Sequence, residues 1–174
     1  MQKVVSLFVL LTCSTVFSMA QVRIFPNETL GPMNGVNNGP VSSRSSQTKS
    51  NCETFSAARI PYVRTHDSSL SSSYGAEHTV DISAIFPDFS KNPKCPDSYD
   101  FAVTDKYLSD IVSVGSKVFF RLGQRIENQI KKYNVYPPKD FKKWAVICEH
   151  IIRHYNEGWA NGFRWNIKYW EICN

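Results

Sequence analysis

The strongest pattern in the chain is helical. After Pro137-Pro138, the residues Phe141, Trp144, Ala145, Cys148, Ile151, Ile152 and Tyr155 recur at spacings of three and four. That stripe predicts an amphipathic helix, closed by Asn156-Glu157-Gly158. Phe101, Thr104, Tyr107, Leu108, Ile111 and Val112 keep the same period, while Asp105, Lys106 and Asp110 fall off it. Gly115 stands where a glycine just past a helix end is favoured. "SQTKSNCETFSAAR" is a shorter helical candidate. Four β-rich runs separate and flank these helices. "GPMNGVNNGPV" brackets a short strand, and "IPYVRTHD" begins with a proline where a missing N–H is tolerated; "KVFFRLG" and "WNIKYWEICN" are the other two. Residues 68–97 form a long irregular stretch rich in Ser and Pro, whose "VDISAIFPDF" supplies apolar anchors for an ordered excursion.

The order is strand, helix, strand, long loop, helix, strand, helix, strand. Such alternation predicts an α/β fold with a parallel sheet and right-handed crossovers. An open doubly wound sheet and a (β/α) barrel both fit. The first usually announces a nucleotide with a glycine-rich turn, and "GVNNGP" is neither G-x-G-x-x-G nor a P-loop. A complete barrel takes about 250 residues. Four strands and three connecting helices amount to the first half of a (β/α)8 TIM barrel, stopping after strand four.

The first twenty residues stand apart from the fold. Lys3, the apolar run "VVSLFVLL" and Ser18-Met19-Ala20 predict a secretory signal over 1–20, too short to span a bilayer. A lipoprotein signal at Cys13 is the weaker alternative, because Thr12 is larger than the residue usually found there. The expected product is secreted or periplasmic, with a polar lead-in over 21–30 and the catalytic-type domain over 31–174. It has no membrane association after cleavage. Loss of the signal lowers the formal charge of +5 by one Lys. Lys131-Lys132 and Lys139, Lys142 and Lys143 read as a solvated face; no aromatic-basic platform accompanies them, so no nucleic-acid partner is expected. Cys52, Cys95, Cys148 and Cys173 remain, irregularly spaced and without C-x-x-C, which argues against zinc; export permits disulfides, and their pairing stays open. Cys148 falls on an apolar helix face and reads as a core residue. Asn27-Glu28-Thr29 is a glycosylation sequon. No cofactor or metal is expected.

In a barrel, functional side chains lie at the C-terminal strand ends. Here these are Asn37 and Asn38; Arg64, His66 and Asp67; Arg121 and Gln124; Glu171 and Asn174. The set is polar, suits a hydroxyl-rich ligand, and holds no Ser/His/Asp nucleophile. Arg64, Arg121 and Glu171 read equally as a charge network between strands. "GVNNGPV", "IPYVRTHD", "VDISAIFPDF", "KVFFRLG", the helix from Pro137 and "YWEICN" resemble, in that order, the N-terminal half of glycoside hydrolase family 39. That family includes β-xylosidases and α-L-iduronidases on a (β/α)8 barrel. The resemblance implies retaining hydrolysis by two carboxyl groups about 5–5.5 Å apart, one acid/base and one nucleophile. It implies an oligo- or polysaccharide substrate. His66 matches a sugar-contacting histidine, whose plainer role would be to orient Asp67 or the long loop. Asp67 is a weaker contact. Asn174 matches the Asn of a W-N-E-P motif, which bonds the sugar 2-hydroxyl. The acid/base Glu would come next and the nucleophile from a late strand, so no catalytic residue is present in the chain. Cys173 departs from the pattern by standing where the motif has Trp.

The remaining carboxylates and histidines read as bland. Glu149 is off the apolar stripe, Glu157 sits near that helix's end, and Glu127 follows the third strand as a loop residue. His150 and His154 lie in E-H-I-I-R-H rather than H-E-x-x-H and are expected to be exposed. The expectation is therefore a fragment of a secreted retaining glycosidase, inactive alone. Its alternative is a non-catalytic, truncated carbohydrate-binding or relic half-barrel, with self-association through exposed sheet edges.

Overall fold

The computed structural model describes residues 23, 25–28, 31, 35–37, 39–40, 50–65, 80–124 and 137–172, with Asn37 by its backbone alone. The signal expected over 1–20 lies outside them. The chain divides into units 1–32 and 33–174. In the first, Glu28 N donates to Phe25 O at 3.0 Å in an exposed turn. The second holds four strands, β1 (Val36–Asn37), β2 (Tyr62–Arg64), β3 (Lys117–Leu122) and β4 (Tyr169–Ile172). It also holds four helices, α1 (Cys52–Ala57), α2 (Ile82–Ile85), α3 (Ala102–Ser113) and α4 (Phe141–Asn156), and short 3-10 turns at Pro96–Ser98 and Trp159–Asn161.

Every strand pairing is parallel, and the spatial order is β1-β2-β3-β4. Sequence order and spatial order coincide, without the reversal that marks a doubly wound sheet. Among the described residues the sheet is open, with β1 and β4 at its edges. The register aligns Asn37, Arg64, Phe119 and Tyr169 across the four strands, and Arg121 with Glu171 one step further on.

Alternation along the strands gives the sheet two unlike faces. Val63, Val118, Phe120 and Leu122 are buried with Tyr107, Leu108 and Ile111 of α3 and Ile147, Ile151 and Tyr155 of α4 in one core. Burying each such apolar side chain contributes about 1.5–3 kcal/mol relative to exposure. Phe120 continues this face by stacking on Trp170, ring centroids 5.0 Å apart. The opposite face carries Tyr62, Arg64, Phe119, Tyr169 and Glu171, half-buried or exposed.

Helix ends follow local chemistry. Asp140 caps α4 by accepting from Lys143 N at 3.0 Å, so Pro137-Pro138 precede the helix instead of opening it. Gly115 (φ +85°) and Gly158 (φ +80°) follow α3 and α4 in the left-handed region that favours glycine. Gly39 is required by close packing: a Cβ there would lie 2.5 Å from Ile111 Cγ1.

Three expectations are corrected. The buried stripe of α4 is Ile147, Cys148, His150, Ile151, His154 and Tyr155, whereas Phe141 is 67% exposed and Ala145 is exposed too. His150 and His154 are therefore buried, not exposed. The last strand starts at Tyr169, not Trp165, because the preceding residues are tied to α4. Asn156 Nδ2 donates to Ile167 O at 3.0 Å and its Oδ1 accepts from Ile167 N at 2.7 Å. Asn166, at φ +54°, breaks the extended run. No helix among the described residues is long and apolar enough to cross a membrane.

Candidate functional site

The C-terminal ends of β2, β3 and β4 meet on the open face of the sheet. Arg64, last in β2, reaches across β3 to Glu171 of β4. Its Nε donates to Glu171 Oε2 at 2.6 Å and its Nη2 to Oε1 at 2.8 Å, a two-pronged, charge-assisted contact. The two side chains are 20% and 24% exposed. The carboxylate bond holds the Arg64 pKa above its ordinary value; partial burial opposes this, and the charge of Glu171 adds to the rise. Below the pair, Tyr169 makes edge contacts with Tyr62 (5.5 Å) and Phe119 (5.9 Å).

The second rim arginine is used differently. Arg121 Nη2 donates to Asp81 Oδ1 at 2.7 Å, with side chains only 2% and 1% exposed. Asp81 arrives on the excursion after β2, through a parallel bridge to Gly123. Ile82 N donates to Gly123 O at 3.0 Å, and Val80, Ile82, Ile85 and Phe86 bury the apolar anchors around it. Arg121 N also donates to Thr65 Oγ1 at 2.9 Å. Ser83 Oγ donates to Gln124 Oε1 at 3.0 Å, tying α2 to the end of β3. The excursion is thus ordered over 80–100 and extends the C-terminal edge of β3.

His66, Asp67 and Asn174, the residues matched to sugar contacts, lie outside the described residues, as do Asn38, Glu127 and Cys173. The structure brings together Arg64 and Glu171, as the charge-network reading expected, and gives Arg121 a separate partner in Asp81. Asp81, Ser83 and Thr65 were missed by sequence reasoning. One signal was available for Asp81: a carboxylate between Val80 and Ile82 in an apolar run needs a partner when buried.

On the other face, the α3–α4 junction holds a second polar cluster. His154 Nε2 lies 3.1 Å from Asp105 Oδ1 and its Nδ1 2.9 Å from Trp159 O. Tyr155 Oη donates to the same Asp105 oxygen at 3.0 Å. Burial first, then the Asp105 charge and hydrogen bond, push the Tyr155 pKa well up. The His154 ring stacks on Phe101, centroids 3.6 Å apart, and Phe163 N donates to His154 O at 2.7 Å. This cluster locks the turn after α4 in place and is distant in topology from the strand ends.

Other carboxylates are accounted for. Glu149 and Glu157 are exposed on α4 and at its end, where both pair with Arg153, at 3.8 and 2.9 Å. Among the described residues no group of three or more His, Cys, Asp or Glu side chains is placed to hold a metal. Cys148 is buried on α4, and Cys52 and Cys95 are half-buried free thiols.

No family model matches the chain, and no curated protein matches it. Among solved structures, it is similar to the crystal structure of a glucosidase from Croceicoccus marinus, with 25% identity and a TM-score of 0.64. The likeness covers 81% of this chain and 28% of that one, so this chain spans a little over a quarter of the glucosidase's length. The fold is thus similar to that of a glycosidase.

Proposed function

We propose that the chain carries the first half of the (β/α)8 catalytic barrel of an exported retaining glycoside hydrolase of the family 39 kind, acting on xylosidic or related linkages. The observation that carries this reading is the likeness to a glucosidase over most of the chain, on four parallel strands laid down in sequence order. The motif resemblance supplies the finer assignment. His66 contacts sugar hydroxyls, Asp67 supports it, and Asn174 bonds the 2-hydroxyl. The acid/base glutamate follows the position matched by Asn174, and the nucleophile belongs to a later strand. The acid protonates the leaving oxygen while the nucleophile forms the glycosyl intermediate.

The described carboxylates support this division of labour. Asp81 and Glu171 are committed to arginines, Asp105 to His154 and Tyr155, and Glu149 and Glu157 to Arg153. Each of these five is already partnered.

Two measurements test the reading. The purified 174-residue chain is expected to show no turnover of an aryl β-xyloside, and turnover would overturn the assignment of both carboxylates. The coding sequence after codon 174 is expected to continue with Glu-Pro in one of the frames. A stop followed by nothing glycosidase-like would favour the non-catalytic, carbohydrate-binding reading instead.

A further inference from the structure

Arg64 spends only one edge of its guanidinium on Glu171. Nε and Nη2 form the fork, and Nη1 has no hydrogen-bond partner among the described residues. Three N–H donors therefore remain, two on Nη1 and the second on Nη2, on a side chain whose plane is fixed by the fork. They stand at the C-terminal end of β2, on the sheet face opposite the helix-side core.

We propose that Arg64 and Glu171 form a charge-compensated, hydroxyl-binding element, with Nη1 donating to a hydroxyl of a neutral sugar, so that this rim selects neutral pyranosides over uronides. The inference rests on the glycosidase reading and narrows its substrate class. A rim arginine with both edges free would favour a sugar carboxylate, which matches the fork in two-pronged fashion. Here one edge is already filled, and Glu171 compensates the charge. An incoming uronate would meet the like charge of Glu171, and the guanidinium charge it seeks is already compensated. Arg121 offers no substitute, because it is buried against Asp81. A hydroxyl carries no charge to be repelled by Glu171 and accepts from Nη1.

The test is binding by the full chain of methyl β-xyloside and methyl β-glucuronide, titrated by saturation-transfer NMR with far-UV circular dichroism as the fold control. The xyloside is expected to bind about tenfold more tightly than the glucuronide. Glu171→Gln keeps the shape and uncovers the arginine charge, so it should reverse that order. The pair of substitutions Arg64→Gln and Glu171→Gln together removes both charges and Nη1, and should weaken the xyloside about tenfold. A wild-type chain that holds the glucuronide as tightly as the xyloside overturns this inference and leaves the glycosidase reading standing. So does a folded Glu171→Gln chain with unchanged preference, or a double variant with full xyloside affinity. A folded chain that binds neither glycoside also overturns this inference, while the glycosidase reading falls only to its own two tests.

Discussion

Two arginine–carboxylate pairs have their arginines on the same face of one sheet, on neighbouring strands, and differ sharply in burial. Arg121–Asp81 is sealed, at 2% and 1% exposure, while Arg64–Glu171 keeps 20% and 24%. In the sealed pair each charge depends on the other, because neither can recover its hydration if its partner goes. Solvent reaches the open pair and tolerates its loss. The first therefore anchors structure and the second stays in reach of solvent. The excursion over 80–100 makes the difference, since it brings both the partner and the cover for Arg121.

Four changes break or sharpen that contrast. Asp81→Asn should have the largest effect, about 3–5 kcal/mol lost in chemical denaturation, because Arg121 stays buried without the Asp81 charge. A loss under about 1 kcal/mol would erase the distinction between the pairs. Asn156→Ala removes both bonds to Ile167 and should cost about 2 kcal/mol, with faster amide exchange at Ile167 and through β4; unchanged exchange would show that β4 is held otherwise.

Tyr155 tests whether the helix face behaves like the sealed pair. Its pKa is raised, so its stabilisation is complete below the ordinary tyrosine value of about 10 and is lost as pH rises through the folded value. Unfolding should steepen above about pH 10 and coincide with tyrosinate absorbance. Tyr155→Phe should flatten that slope and cost about 1 kcal/mol at neutral pH; an unaltered alkaline limb would assign it to another group. Glu171→Gln should cost least, about 0.5 kcal/mol, because the pair is partly solvated. A cost approaching that of Asp81→Asn would make both pairs structural.

Much of this architecture was legible in the chain. Helical period placed α3 and α4, and β-rich runs placed all four strands in order. The helix face was less legible, since apolarity alone kept His150 and His154 outside. An imidazole sandwiched against Phe101 and bonded at both nitrogens is as buried as an isoleucine. The helix α2 and the turn Pro96–Ser98 are too short for periodicity to reveal. Of the site, the linkage of Arg64 to Glu171 was readable as a charge network, but Asp81 was not, because its partner is 40 residues away. His66, Asp67 and Asn174 rest on motif resemblance alone.

The double bond from Asn156 to Ile167 sets the phase of β4. Two residues further along the strand than Tyr169, Glu171 faces Arg64 only while Ile167 is pinned where it is. Strand faces alternate with a period of two, so a single-residue deletion between the pin and the strand would exchange the roles of Trp170 and Glu171. A carboxylate would then be driven into the helix-side core and an indole onto the rim. One asparagine amide thus decides, from the end of a helix, which chemistry the strand presents.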